Sequence, residues 1–487
     1  MDFPIPAEVA AVSREIRNQG FEAYLVGGCV RDLLLGRTPK DWDVTTNAKP
    51  EDIQQMFPHT FYENTFGTVG VSTESENEST KIVEVTPYRT ESSYSDKRRP
   101  DAVSFGDNLE EDLARRDFTI NAMALNEDKG QIIDPFKGQK DIELKVLRTV
   151  GVAEERFEED ALRLLRAIRL IAELDFALDA DTATAIAQKA PNLLHISQER
   201  IRDEFIRMIN SKQPMMALTL SQQLGVLSYI SKDLGAGIGI DQNQAHSYDV
   251  FGHLMRAVQH AADKDWSFDI RLSALFHDIG KPATRRWSEE KNDWTFYGHD
   301  VVGAKMTKKA LENLRFSRET IQKVTKLVRW HMFFSDPDQV SLAGVRRMIR
   351  NVGEENIDDL LQLRICDRIG TGRPKEQPFR FRMYKAMIEE ALRDPISVTM
   401  LKTDGNRLMK EFHVQPGPRI GWILNSLLED VLDNPTNNTE AYLDEKTAIL
   451  MKLSDEELKK LGDSGKQRKD AEEDKEIKDI LSKNHVL

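Results

Sequence analysis

Along the first 150 residues the apolar positions change period several times. Residues 5–19 carry them at helical spacing, which predicts an amphipathic helix. Ala23-Tyr24-Leu25-Val26 is a continuous apolar run stopped by Gly27-Gly28, the pattern of a strand that ends in a tight turn. Residues 30–35 restart as a helix. Short runs at 42–44, 68–71, 81–85, 122–125 and 132–133 predict further strands. The stretch 88–101, crowded with Ser, Arg, Lys and Pro, reads as a mobile loop. These pieces describe a small α/β domain ending near Val150.

After that point no run reads as a strand. Ala161, Leu164, Leu165, Ile168, Ile171 and Ala172 fall on one helical face, and the same spacing continues to residue 230. Glycines around Gly235-Ala236-Gly237 precede a second helical unit, and a third begins near Pro374. The last 34 residues, rich in Lys, Asp and Glu, read as a solvated helix or a disordered tail. The predicted boundaries are 1–150, 151–235, 236–373, 374–453 and 454–487, with no internal repeat.

A chain of 487 residues exceeds one compact core, so two to four domains are expected. The absence of any apolar run of about 18 residues predicts no membrane span. Met1-Asp2-Phe3-Pro4 lacks the features of a secretory signal. Two cysteines, Cys29 and Cys366, make no disulfide framework and fit a reducing cytoplasm. The net charge of −13 argues against tight nonspecific RNA binding. A specific RNA substrate is still admitted, because an acidic body can carry one basic groove.

Asp41 and Asp43 lie two apart, so on an extended strand both side chains point to one face. Two such carboxylates can hold Mg²⁺ between nucleotide phosphates and an attacking hydroxyl. Gly27-Gly28 before a helix lets backbone N–H groups approach a triphosphate. Each piece alone also fits a plain turn or an exposed strand edge. Their joint order and spacing favour the metal reading.

Leu25-Val26-Gly27-Gly28-Cys29-Val30-Arg31-Asp32 with Asp41-Trp42-Asp43 resembles the head motif of the class II tRNA nucleotidyltransferase and bacterial poly(A) polymerase superfamily. Matches follow in order at Phe66-Gly67-Thr68, at residues 83–89 and 115–124, at Asp134-Pro135-Phe136 and at residues 159–169. The resemblance covers residues 20–230. It implies an α+β chain: a small mixed α/β, polymerase-β-like nucleotidyltransferase head, then an elongated all-helical neck, an HD domain and a tail. It implies that Asp41 and Asp43 bind the catalytic Mg²⁺ ions and that Gly28 and Arg31 meet the triphosphate. Glu84 stands where a third acid would help activate the primer hydroxyl; a buried structural pairing is the alternative. Arg115, Arg116, Asp117 and Asn121 would face the ribose and phosphates, where a 2′-OH offers both donor and acceptor. Asp160, Arg163, Arg166 and Arg169 would face the base. With Asp160 and Arg163 at i, i+3 on a helix, an acceptor sits beside a fork of donors, matching the amine and ring acceptor of C and A. Read alone, the pair is a salt bridge with an arginine stripe on a solvated face.

His253, His277-Asp278, His299, His331 and Asp367 form a second constellation, and His277-Asp278-Ile279-Gly280-Lys281-Pro282 resembles the signature of the HD phosphohydrolase superfamily. The resemblance implies a divalent transition metal (Mn²⁺, Ni²⁺ or Co²⁺), a second one bridged by Asp278, and a metal-bound hydroxide acting on cyclic or terminal phosphate esters. His246 and His260 lack a matching place and read as structural. In the third unit, residues 404–409 and 416–421 read as a helix start and a turn, an RNA-phosphate site or a plain helix junction; the resemblance implies that this tail binds tRNA.

The function expected is template-independent addition of C and A to the 3′ end of tRNA from CTP and ATP, in the cytoplasm and with no membrane partner. A-only addition, CC-only addition and poly(A) synthesis are the rivals within the class. The loop 90–104, which reads as undeleted and which relatives need to switch from C to A, speaks against CC-only addition. The mixed-charge C-terminus speaks against poly(A) synthesis. An HD phosphohydrolase or nucleotide sensor with a vestigial head is the rival from another class, and the presence of both Asp41 and Asp43 opposes it. Oligomeric state is not legible.

Overall fold

Short strands whose side chains are mostly buried build the first third of the chain. In the computed structural model, which describes residues 3–62, 67–91, 103–106, 108–243, 247–333 and 340–462, the contacts separate into two units, Met1–Ile230 and Ser231–Leu487. In the first unit α1 (Ala7–Asn18) leads into β1 (Ala23–Val26), where Ala23, Leu25 and Val26 are buried. Then follow α2 (Gly28–Leu34), β2 (Trp42–Thr46), α3 (Pro50–Met56), β3 (Thr60–Tyr62), β4 (Val69–Ser72) and β5 (Ile82–Pro87). After β6 (Arg89–Glu91), β7 (Val103–Phe105) and α4 (Leu109–Ala114), β8 (Ala124–Asn126) and β9 (Gln131–Ile133) complete a seven-stranded sheet.

Its strand order is β3-β4-β5-β2-β1-β8-β9, and every neighbouring pair is antiparallel except β2 with β5. That parallel pair sets Asp43 opposite Glu84. Ile16, Leu25, Val30, Trp42, Val44, Ile53, Val83 and Val85 form the core behind the sheet. The edge strand β3 escaped the sequence reading because Phe61 and Tyr62 are exposed and the run is only three residues long. Arg89–Glu91, at the start of the predicted 88–101 loop, pairs as β6 with β7 just beyond the loop's predicted end, whereas residues 92–102 lie outside the described residues.

The remainder is mostly helical, as the periodicity predicts. α5 (Gly138–Leu144), β10 (Val146–Leu147), α6 (Ala153–Glu159), α7 (Leu162–Leu174), β11 (Ala177–Leu178), α8 (Ala180–Lys189), α9 (Gln198–Asn210), α10 (Pro214–Gln223) and α11 (Leu227–Ile230) close the first unit. The second unit runs through α12 (Lys232–Gly235), α13 (Val250–Asp263), α14 (Phe268–Phe276), α15 (Lys281–Thr284), β12 (Arg286–Ser288), β13 (Asp293–Thr295), α16 (His299–Asn313), α17 (Arg318–Trp330), α18 (Leu342–Val352) and α19 (Ile357–Gly370). It ends with α20 (Phe379–Ala391), α21 (Gly405–Glu411), α22 (Pro418–Asp433), α23 (Glu440–Leu450) and α24 (Asp455–Gly462).

Two small exceptions interrupt the helices. Val146 and Leu147 pair in parallel with Ala177 and Leu178, and β12 and β13 form a hairpin on which Trp287 meets Trp294 edge-on at 5.2 Å. Both are too short to give a two-residue period. One hydrophobic core extends from Ala257 to Leu458, so the packing is continuous through the position near residue 373 where a boundary is predicted. Cys29 and Cys366 are buried free thiols, and no helix among the described residues is long and apolar enough to cross a membrane.

Candidate active site and metal centre

In the first unit the chain turns at Gly27 with φ of 82°, a conformation that side chains with a Cβ rarely adopt. A methyl there would also stand 3.1 Å from the Arg116 guanidinium and 3.2 Å from the Asp43 carboxylate, so Gly27 lets these two groups converge. Asp43 is half-buried on β2 and Asp41 is exposed just before the strand. Burial raises the Asp43 carboxyl above its ordinary range, Arg116 opposes that, and Asp41 adds to it. Glu84, half-buried, stands in register beside Asp43. The predicted Gly28 lies beside the Arg31 guanidinium, 3.5 Å from the place of a Cβ.

Four predicted residues join in one chain of hydrogen bonds. Arg31 donates to the Asn121 carbonyl oxygen at 2.8 Å, and the Asn121 amide donates to Asp117 at 3.1 Å. Arg166 donates two bonds, of 2.9 and 2.8 Å, to the other Asp117 oxygen. Burial works to raise the Asp117 carboxyl, but Arg166 outweighs it and holds the group well below the usual carboxylate range.

Asp112 is a member of this site that the sequence reading missed. Fully buried on α4, it accepts from Arg115 at 2.6 and 2.9 Å, from Arg116 at 3.4 Å, and from Thr45 on β2 at 3.1 Å. Its spacing of three and four residues before two arginines was the available signal.

The expected helical pairing of Asp160 with Arg163 requires correction. The chain breaks between α6 and α7, and Asp160 sits in that joint with extended backbone, φ of −139°. Its carboxylate accepts from the Leu162 N–H at 3.0 Å and from Arg200 at 2.9 Å. Arg163 instead meets Glu159 at 2.5 Å and donates to the carbonyls of Arg156 and Arg115 at 3.2 and 3.1 Å. Arg169 pairs with buried Glu204 at 2.8 Å and with Glu173 at 3.3 Å. Arg200, Glu159 and Glu204 were missed because their partners are distant or cross a helix break.

In the second unit five helices deliver one buried cluster. His253 lies on α13, His277 and Asp278 follow α14, His299 opens α16, His331 ends α17 and Asp367 lies on α19; all six are buried. They fall into two groups that share Asp278: His253, His277, Asp278 and Asp367, and Asp278, His299 and His331. The Nδ1 atoms of His277, His299 and His331 pair with the carbonyls of Ala274, Phe296 and Val328 at 2.9, 2.7 and 2.6 Å, which turns each Nε2 inward. Gly280 is a packing requirement, since a Cβ would lie 2.3 Å from the His299 carbonyl oxygen.

Burial lowers the His253 and His331 imidazoles and opposes protonation of His277, but Asp278 and Asp367 push His277 up to about 10. Against burial, Lys281 and His277 hold Asp278 well below its ordinary range, and Arg364 and His277 do the same for Asp367. The Nε2 atoms of His299 and His331 lie 3.1 and 3.5 Å from an Asp278 oxygen, yet both are buried without a hydrogen-bond partner among the described residues. Imidazole nitrogens and a carboxylate facing one another in this way fit a divalent cation of borderline softness. A cavity of about 570 Å³ opens onto the cluster, lined by Asp278, Lys281, His299, Arg364, Asp367 and Arg368 among others.

The chain matches the family described as Poly A polymerase head domain over residues 23–148, the probable RNA and SrmB-binding site of polymerase A over 175–236, and the HD domain over 246–371. It is 33% identical over 440 residues to a CCA-adding enzyme of Lactobacillus delbrueckii subsp. bulgaricus, covering 90% of this chain and 96% of that one. A CCA-adding enzyme of Geobacillus kaustophilus is 46% identical over 224 residues, and there the match spans 54% of the relative, about half its length. Among solved structures, the Bacillus stearothermophilus CCA-adding enzyme in complex with CTP is 27% identical with a TM-score of 0.64, covering 92% of this chain and 100% of that one. The Thermotoga maritima CCA-adding enzyme complexed with tRNA_CCA shares the fold at 19% identity and a TM-score of 0.55, covering 91% of this chain and 94% of that one.

Proposed function

The chain belongs to the CCA-adding enzyme family, and on that premise we propose that it adds C and A to the 3′ end of tRNA from CTP and ATP without a nucleic-acid template. The observation that carries the reading is the convergence of Asp43 and Arg116 at Gly27, with Glu84 in register beside Asp43 and Asp41 two residues away. Asp41 and Asp43 would hold Mg²⁺, which when bound neutralises phosphate charge and favours the attacking oxygen. Glu84 would take up the proton of the primer hydroxyl. Gly28 leaves room for the triphosphate, and Arg31, Arg115 and Arg116 supply its counter-charge. Asn121 and Asp117 would face the ribose, while Asp160, Arg163, Arg166 and Arg169 would line the base.

Within this reading residues 1–150 form the head, 151–235 the neck, 236–373 the HD domain and 374–453 a tRNA-binding tail, followed by a charged extension at 454–487. The deciding experiment supplies tRNA transcripts ending in the discriminator base, in C and in CC, each with one labelled nucleotide. Sequential C, C and A addition is expected; A incorporation on the CC end alone, arrest after CC, or long A tails would each replace this reading with a rival.

A second reading stands on the cavity beside the Asp278 cluster. We propose that the HD domain hydrolyses cyclic or terminal phosphate esters with Mn²⁺, Ni²⁺ or Co²⁺ held by His253, His277, Asp278, His299, His331 and Asp367. Screening such esters with each metal tests it. Two buried free thiols fit a reducing cytoplasm.

A further inference from the structure

The cavity that opens onto the Asp278 cluster holds about 570 Å³, more than a single phosphate group fills and within the range of pockets that enclose a drug-sized ligand. Five lysine or arginine side chains and four aspartates line it. Three of the aspartates are committed: Asp278 and Asp367 to the metal cluster, and Asp300 to Arg329 at 2.6 Å. The arginines are less evenly matched.

On α19, Arg364 and Arg368 stand four residues apart on one face, a spacing at which like charges repel. Arg364 engages Asp367. Arg368 donates its Nε–H to the Lys375 carbonyl at 2.5 Å, which fixes the plane of the guanidinium. Its other N–H groups have no partner among the described residues, and neither Arg368 nor exposed Arg373, just past the helix, pairs with a carboxylate there. Besides burial, the charges that act most on Arg368 are Arg373, Arg364 and only then the engaged Asp367. Crowded guanidinium groups without acids of their own suit an anion, and their forked donors match the oxygens of a phosphate. Tyr297, which follows β13, lines the same cavity and is 61% exposed. Its hydroxyl accepts from Lys291 at 2.6 Å, and its ring offers a face on which a base can stack.

We propose that Arg368 and Arg373 form a second phosphate site, so that the HD domain takes a nucleoside with its 3′-phosphate at the metal cluster, its 5′-phosphate on the two arginines and its base on Tyr297. The inference rests on the phosphohydrolase reading of that cluster. In that reaction water adds its oxygen to phosphorus, the bond from phosphorus to the ribose oxygen breaks, and the ribose oxygen takes a proton. An RNA end with a terminal phosphate and a free nucleoside bisphosphate share this chemistry.

The test titrates the full chain, loaded with Mn²⁺, in a calorimeter with adenosine carrying a 3′-phosphonomethyl group, which cannot be hydrolysed, with and without a 5′-phosphate. The 5′-phosphate should tighten binding about 10-fold, the scale of one charge-assisted hydrogen bond. Arg368→Gln combined with Arg373→Gln should lose that gain and leave the ligand without a 5′-phosphate unaffected. Arg373→Gln alone, at an exposed position, should lose part of the gain and serves should the double variant melt early. No gain in the wild type, or a gain that survives in the variants, would overturn the second site. Tyr297→Ala should weaken both ligands by about 5-fold or more, and unchanged affinity would overturn the nucleoside assignment. A dinucleotide with the same 3′ group separates the sources: a gain kept by its phosphodiester supports an RNA end, and a gain lost supports the free bisphosphate. Binding that follows this pattern without hydrolysis of the matching esters would support the site and remove the phosphohydrolase reading.

Discussion

Replacing Asp117 by Asn removes one negative charge from the hydrogen-bonded chain of Arg31, Asn121, Asp117 and Arg166 while keeping the size of the group. Asp117 is 9% exposed and accepts from the Phe118 N–H, from Asn121 and twice from Arg166. Breaking a buried ion pair from one side costs about 3–5 kcal/mol. The Arg166 side chain is 35% exposed and can rehydrate, which brings the expected loss down to about 2–3 kcal/mol. The first unit spans Met1–Ile230, and for that size each kcal/mol moves the melting point by about 2–4 °C. Its transition should therefore drop by roughly 4–12 °C, read on the first unit's own signal because two units need not melt together.

The pH dependence has a definite sign. The Asp117 carboxyl is held below its unfolded value, so its contribution is complete above about pH 4 and fades as the pH falls through the folded value. The difference between wild type and Asp117→Asn should accordingly be the same at pH 6 and pH 8 and shrink only in acid. Because Asn121 passes the contact on to Arg31, KM for the nucleotide should rise as well. A variant that melts within 1 °C of wild type with unchanged KM would refute the hydrogen-bonded chain as the element that sets these side chains.

Asp41→Ala and Asp43→Ala should each abolish nucleotide addition with Mg²⁺ while leaving the circular dichroism spectrum unchanged; wild-type incorporation in either variant would remove the metal assignment. Gly27→Ala should also disable addition, since the new methyl meets Arg116 and Asp43 at 3.1 and 3.2 Å on a backbone with positive φ, and an active variant with normal KM would show that the turn is not constrained. Asp278→Ala should lose divalent-metal binding in the second unit, measured by elemental analysis after dialysis, yet retain nucleotide addition. Equal metal content in the variant and wild type would place the ion elsewhere.

What could be read from the sequence depended on how far apart in the chain the cooperating residues lie. Asp41 and Asp43 were singled out by their spacing of two, although only Asp43 lies on β2 and Asp41 just precedes it, and the apolar run before Gly27 located the turn. The pairing of Asp43 with Glu84 was not legible, because it comes from a parallel contact between strands 41 positions apart in register, and no local period encodes which strand lies beside which. The HD cluster was legible as a residue set only through its motif; five separate helices bring it together, and the carbonyls of Ala274, Phe296 and Val328 that orient the rings carry no side-chain signal at all. Asp160 shows the opposite failure. Unbroken helical spacing from 154 onward concealed a joint at 160–161, because a chain can leave a helix for one residue and resume it without disturbing the apolar period. Local spacing predicted a bond to Arg163, whereas the break released Asp160 to Arg200 on another helix. The reach of a side chain across such a break is a property of packing, which the local spacing of the sequence does not carry.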